Sequence, residues 1–264
     1  MKKEISLSEI RKIQLQILDV IDSFCEKRNL RYSLAAGSLL GAVRHHGYIP
    51  WDDDIDIMMP RPDYEVFVNE FDGFKTNLVV QDVHSDPNHY LPWAKVYDNR
   101  TELVSSNSIG GVYVDIFPID GLPDAQNLTD YYNKVQKLTN LLWYSMKPNY
   151  EYVEGNKTLL RVKVFVKQLI YPSRNGVISK WRALYNKFPF EKSEFAGEII
   201  SIYGMKEHMP KRIFEKFVDL PFEKRTYKCI QEYDIYLTKL YGDYMTLPPV
   251  EERGTHHHQS VFWK

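Results

Sequence analysis

Long apolar runs are missing from this chain. No segment approaches the roughly 18 uninterrupted apolar residues of a membrane-spanning helix, and Met1-Lys2-Lys3-Glu4 opens without the apolar stretch of a signal peptide. Cysteine is nearly absent too: Cys25 and Cys229 stand far apart, which fits unpaired thiols in a reducing compartment rather than a disulfide framework. Neither sign of charge dominates. With 34 Lys plus Arg against 35 Asp plus Glu, the formal net charge is −1, so the whole-chain balance argues for neither nucleic acid nor an anionic membrane as partner. Internal repeats and low-complexity segments are lacking as well. These absences point to a cytoplasmic globular protein of one large domain, or one domain with an appendage. A chain of 264 residues buries roughly 75% of its unfolded surface.

What stands out is residues 35 to 60, which open on the small-residue turn Gly37-Ser38 and close with Asp52, Asp53, Asp54 and Asp56. Read with the period of a strand, Asp54-Ile55-Asp56-Ile57 puts both carboxylates on one face and both isoleucines on the other. Such carboxylates sit roughly 6.5 to 7 Å apart at Cα and can converge on a cation. Without one they repel, by about 1 kcal/mol at 4 Å in water and more near a protein surface. A divalent ion such as Mg²⁺ (or Mn²⁺), which favours one or two carboxylates plus substrate phosphates, removes that repulsion. An EF-hand loop is excluded, because Ile57 stands where the loop requires Gly and Asp63 where it requires Glu. Dinucleotide and Walker phosphate-loop spacings are both absent here. A solvated acidic loop has no reason to interleave large aliphatics with its acids.

Upstream, Ser6 with Glu9 forms a capping-box pattern, and Ile10, Ile13, Ile17, Ile21 and Phe24 predict a packing helix over 6 to 28. Tyr32-Ser33-Leu34 reads as a short strand delivering Gly37-Ser38 to a helix N-terminus, which offers unpaired amides to a phosphate. Arg44 closes that helix, either as a fork for phosphate oxygens or as a cation against the helix dipole. Pro60-Arg61-Pro62 starts a helix through Phe71, and a strand follows around 78 to 83. Residues 93 to 104 predict a hairpin about the Asp98-Asn99 turn. Gly111 to Phe117 reads as a strand carrying Asp115 among aliphatics. A lone buried carboxylate needs a partner: either a metal shared with Asp54 and Asp56, with Asp115 as base for an acceptor hydroxyl, or a salt bridge to Arg44 or Lys95. Asp120 is expected to shape the Gly121-Leu122-Pro123 turn.

Beyond residue 125 the pattern is helical, over 128 to 147, 158 to 171 and 176 to 188, with a boundary or mobile loop at 147 to 157. Leu159, Val162, Phe165, Val166, Leu169 and Ile170 form an apolar face read as core. With Arg161, Lys163 and Lys167 beside it, the alternative is a membrane surface. The last third predicts a strand over 195 to 203, a small sheet near 217 to 230 and a helix around 231 to 240.

Gly37-Ser38, Asp54-Ile55-Asp56-Ile57 and the later Val114-Asp115-Ile116 together resemble the nucleotidyltransferase-fold signature, with a longer gap after the Gly-Ser turn. More narrowly, Gly37 to Ile57, residues 113 to 123 and Tyr241-Gly242-Asp243-Tyr244 resemble the LicD family, whose bacterial members transfer phosphocholine from CDP-choline to cell-wall polysaccharide precursors. The resemblance implies an α/β (α+β) fold with a mixed sheet flanked by helices. It also implies a catalytic core at 1–125, a helical region at 126–190 recognising the acceptor, and a C-terminal region at 191–264 packed on the core. It implies a metal at Asp54, Asp56 and Asp115, which would also be the catalytic acids. The donor would be bound by Gly37, Ser38, Arg44, Trp51 and Lys95, with Trp51 suited to a quaternary ammonium. A CDP-activated donor, a glycan or lipid-linked glycan acceptor and peripheral membrane contact are the implied partners; CDP-ribitol, CDP-glycerol or an NTP are alternative donors. The resemblance also extends to the His256-His257-His258 run.

Overall fold

The capping-box pattern at the N-terminus does what its chemistry requires. In a computed structural model describing residues 2–86, 89, 91–104, 110–145, 156–170, 173–254 and 260–264, helix α1 runs Leu7–Arg28. The Ser6 hydroxyl accepts from the Glu9 amide, and the Glu9 carboxylate accepts from the Ser6 amide. Ile13, Ile17, Leu18, Ile21 and Phe24 are buried along one side, where they support the sheet.

That sheet is built from β1 (Ser33–Leu34), β2 (Asp56–Pro60), β3 (Leu78–Gln81), β4 (Ala94–Asp98) and β6 (Tyr113–Leu122), in the order β1-β2-β6-β4-β3. The β2–β6 pair is parallel; β1–β2, β4–β6 and β3–β4 are antiparallel. Helix α2 (Ala36–His45) and helix α3 (Arg61–Glu70) follow β1 and β2 directly. Strand β6 outlasts its neighbours: its far end pairs with β7 (Phe195–Gly197), which pairs with β8 (Met209–Pro210). Strands β9 (Phe217–Phe222) and β10 (Arg225–Ile230) form the small sheet expected near 217 to 230, and helix α7 covers Tyr233–Tyr241. Both cysteines are buried and free.

Four expectations are corrected. The acidic strand begins at Asp56, two residues late, with Asp54 in the loop before it. The 93–104 hairpin does not form: β5 (Thr101–Val104) leaves β4 and pairs with β11 (Ser260–Trp263). The Thr101 hydroxyl, donating to the Asp98 carbonyl at 2.7 Å, holds the departing turn. The stretch 195 to 203 is strand only to Gly197, after which the chain leaves β6. Asp120 makes no turn. It lies inside β6, 1% exposed, in a two-pronged ion pair with Arg61 at 2.7 Å for both contacts.

Helices α4 (Ala125–Ser145) and α6 (Arg174–Tyr185) enclose a second apolar cluster of Leu122, Tyr131, Val135, Trp181, Leu184 and Ile199. Helix α5 (Lys157–Ile170) corrects a fifth expectation: its apolar face is not core. Leu159, Val162, Phe165 and Val166 are 52, 54, 61 and 45% exposed, and among the helix's described side chains only Leu160 is half-buried. The side chains of Leu169 and Ile170, most of the 147–157 boundary, and His256–His258 lie outside the described residues.

Candidate active site

Strand register assembles the centre of the site. In the parallel β2–β6 pair Asp56 stands opposite Asp115, and in the antiparallel β4–β6 pair Asp115 stands opposite Lys95. Residues in register on adjacent strands project from one face, so Asp56, Asp115 and Lys95 form one row across strands about 4.8 Å apart. The alternation of apolar residues keeps the opposite face dry: Ile55, Ile57, Val114 and Ile116 are fully buried.

Asp115 has the partner its burial demands. Lys95 Nζ lies 3.0 Å from Oδ1, and the Trp93 indole donates to the same oxygen at 2.7 Å. Lys95 is itself buried, with its ammonium 3.3 Å from the centre of the Tyr113 ring. Of the two cationic side chains expected to pair with Asp115, Arg44 and Lys95, it is Lys95 that does so. Trp93 was not anticipated as a site residue, although its two-residue spacing from Lys95 places both on one strand face.

Asp56 is anchored through its backbone, its amide donating to the Ser38 hydroxyl at 2.9 Å and its carbonyl accepting from Ala35. The Ser38 hydroxyl thus positions the acidic strand. Ala36 opens α2 at φ 41°, a left-handed conformation that is costly for a residue with a side chain and persists where surrounding structure enforces it. A Cβ on Gly37 would meet Asp52 Oδ2 at 2.9 Å, so glycine here lets the Asp52 carboxylate lie against the start of α2. A Cβ on Gly41 would strike the Gly47 carbonyl at 2.4 Å, and this close approach folds the chain back after α2. From α1, Arg11 donates to the carbonyls of Pro50 and Asp52, at 3.1 and 2.5 Å, and Gln14 donates to that of Asp53 at 2.9 Å. Helix α1, expected only to pack, also fixes the acidic loop.

The electrostatics are those of crowded acids. Burial pushes the Asp56 carboxyl well above the usual carboxylate range, and Asp54, Asp115, Asp52 and Glu198 push it further. Glu198, just past β7, is raised in turn by burial, by Glu207 and by Asp115. No local pattern marked Glu198 as a site residue; it arrives because β7 pairs with β6. Tyr203 and Tyr241 join hydroxyls at 2.9 Å, and burial holds both phenols above their ordinary pKa, with the charge of Asp56 adding to it. Among the described residues, Asp52, Asp53 and Asp54 bring carboxylate oxygens within 4.8 Å of one another. The expected set of Asp54, Asp56 and Asp115 shares one neighbourhood but is not drawn to that distance, since Asp115 turns toward Lys95 and Trp93. A donor set of hard carboxylate oxygens, with one acid so strongly disfavoured as an anion, fits a hard divalent cation.

Arg44 and Trp51 belong to an adjoining group. The Arg44 guanidinium donates to the Tyr244 carbonyl at 2.6 Å and contacts the Thr246 carbonyl at 3.5 Å, tying the 241–249 segment to the end of α2. Trp51 meets the His45 ring edge-on and carries the Arg253 guanidinium 5.2 Å from its ring centre.

Comparison with known proteins identifies the family. The family model described as LicD/FKTN/FKRP, nucleotidyltransferase domain, matches residues 29–160, a span that includes Gly37, Asp54, Asp56, Lys95 and Asp115. Over 98% of this chain and 99% of the relative, the sequence is 30% identical to the lipopolysaccharide cholinephosphotransferase LicD of Haemophilus influenzae. Shorter matches link it to uncharacterized proteins of Rickettsia typhi, 39% identical over 28% of this chain and 22% of the relative, and of Rickettsia prowazekii, 45% identical over 21% and 18%.

Proposed function

The chain belongs to the LicD family of phosphotransferases, and from that membership and the site's geometry we propose that it moves phosphocholine from CDP-choline to a sugar hydroxyl of a lipopolysaccharide or teichoic-acid type of glycan. The observation that carries this reading is the row Asp56, Asp115, Lys95. Its two acids would serve a metal-bound diphosphate, and its lysine the phosphate oxygens.

Transfer joins the acceptor oxygen to the choline-bearing phosphorus while the bridging P–O bond to CMP breaks. Such reactions depend on positioning and charge neutralisation. Asp54, Asp56 and Asp115 would hold a Mg²⁺ or Mn²⁺ ion, which supplies neutralisation of the diphosphate and the leaving group. Lys95 adds a compact charge for phosphate oxygens. Asp115, oriented by Trp93, receives the proton of the attacking hydroxyl. The Gly37 backbone at the start of α2 offers amide donors to the diphosphate. Trp51 already accepts a guanidinium on its face, the kind of contact a quaternary ammonium makes.

For the acceptor, the structure offers a groove of about 560 Å³ between α4 and residues 199–205. Asn133, Gln136 and Asn140 along α4 and Ser201 opposite line it, uncharged amides and a hydroxyl that suit sugar hydroxyls.

A thermal-shift panel of CDP-choline, CDP-ribitol, CDP-glycerol and ATP, with and without Mg²⁺, tests the donor assignment. A ligand at a hundred times its Kd adds about 2.7 kcal/mol. CDP-choline with Mg²⁺ should give the largest shift and CMP release on adding acceptor; a larger shift with another donor reassigns the site, and Mg²⁺-independent shifts remove the metal.

A further inference from the structure

The apolar face of α5 has no partner among the described residues, although Leu159, Val162, Phe165 and Val166 are each 45 to 61% exposed. At about 100° per residue, these four side chains occupy one arc of the helix, while the half-buried Leu160 lies on the side turned toward the protein. Arg161 and Lys163 fall at the two edges of that arc.

The charge around the helix is one-sided. From residue 155 to 190 the sequence holds Lys157, Arg161, Lys163, Lys167, Arg174, Lys180, Arg182 and Lys187 and no Asp or Glu, in a chain whose formal net charge is −1. Whole-chain neutrality therefore hides a strongly basic stretch of sequence that includes the exposed helix, with Arg161 and Lys163 at the edges of its apolar arc. A broad apolar arc bordered by long cationic side chains is the pattern of a helix lying in a lipid interface, its apolar residues among the acyl chains and its cations among the headgroups. No helix among the described residues is long and apolar enough to cross a bilayer, so contact through α5 is peripheral.

We propose that α5 docks this protein on an anionic lipid bilayer, with Leu159, Val162, Phe165 and Val166 inserting and the surrounding basic residues pairing with acidic headgroups. A second copy of the chain is the weaker occupant. Two such faces packed together would set Arg161 and Lys163 against their own copies, a like-charge contact that anionic lipid removes. The proposal stands independently of the transferase reading, because the test contains neither donor nor acceptor.

The experiment is co-sedimentation of the full chain with vesicles of phosphatidylcholine alone or with a quarter of phosphatidylglycerol, together with its mass in solution by light scattering. Binding should require phosphatidylglycerol and weaken as NaCl rises to about 0.5 M, where screening shortens to a few ångströms. The double variant Val162→Glu with Phe165→Glu should bind the anionic vesicles at least about tenfold less and melt as the wild type does, since both side chains are exposed. Arg161→Gln with Lys163→Gln should weaken anionic binding without touching the apolar arc, so a second variant remains if the first folds poorly. Absence of binding at low salt, equal binding to neutral vesicles, undiminished binding by both variants, or a dimer that the first variant converts to monomer would each overturn the proposal.

Discussion

Asp56 and Asp115 stand in register on neighbouring parallel strands, an arrangement that brings two carboxyl groups together where the fold alone gains nothing from it. Replacing Asp56 with Asn should lower transfer by about 10³-fold or more, as expected when charge stabilisation of a transition state is lost. The same change should stabilise the metal-free protein. A carboxyl whose folded pKa is raised favours the fold below its unfolded pKa, about 4, and that contribution is lost as pH rises. In EDTA, the Tm advantage of the variant should be small near pH 4 and widen toward pH 8. A wild-type-like rate, or a lower Tm at pH 8, contradicts the assigned role.

Arg61 and Asp120 form a buried pair, and the guanidinium lies between the Tyr64 and Tyr185 rings at 4.9 and 4.1 Å. Burial pushes the Asp120 carboxyl up against the pull of Arg61. Asp120→Asn should cost about 3 kcal/mol in urea melts, because it removes the two-pronged partner of a buried cation and leaves Arg61 only the half-exposed Glu65 carboxylate at 3.3 Å. Combining Arg61→Met with Asp120→Leu should cost well under the sum of the single changes. Additive losses would mean that the pair is not coupled.

Glu207 is 1% exposed, and burial pushes its carboxyl up to about 7. Its folded pKa exceeds the unfolded one, so its contribution to stability is full below about 4.5 and declines as pH rises to about 7. Glu207→Gln should match the wild type at low pH and exceed it by of order 1–3 kcal/mol at pH 8, at 1.36 kcal/mol per unit. A pH-independent difference between the two melts would refute this.

Trp51 is proposed to receive the donor's quaternary ammonium. Trp51→Leu should weaken CDP-choline binding by about 2- to 30-fold, the equivalent of a cation–π contact of roughly 0.5–2 kcal/mol. It should leave CDP-glycerol, which has no cationic group, unaffected. Equal losses for both donors in calorimetry would assign Trp51 a packing role instead.

Much of this architecture was legible in the residues, where local chemistry decides the outcome. The capping box of α1, Pro62 in the first turn of α3, and the acid-aliphatic alternation around Asp56 each act within a few positions. What escaped was non-local or ambiguous. β5 reads as half of a hairpin until residues 260–263 are known to pair with it. Asp120 reads as a turn former until Arg61 arrives from another element. The stripe on α5 has the same periodicity whether protein or something else covers it, because spacing encodes a face and not its neighbour. The acids at 54, 56 and 115 were recognisable as a group. That Ser38 serves the Asp56 amide, and that Arg11 holds the acidic loop, needed the assembled backbone.

Strand β6 carries Asp115 near one end and Leu122, a member of the α4–α6 cluster, at the other. This ten-residue strand is held in turn by β4, β2 and β7 along its length. One continuous strand therefore joins the apolar floor beneath α4 to the row of charged side chains, so the two halves of the molecule share a backbone element instead of meeting through loops.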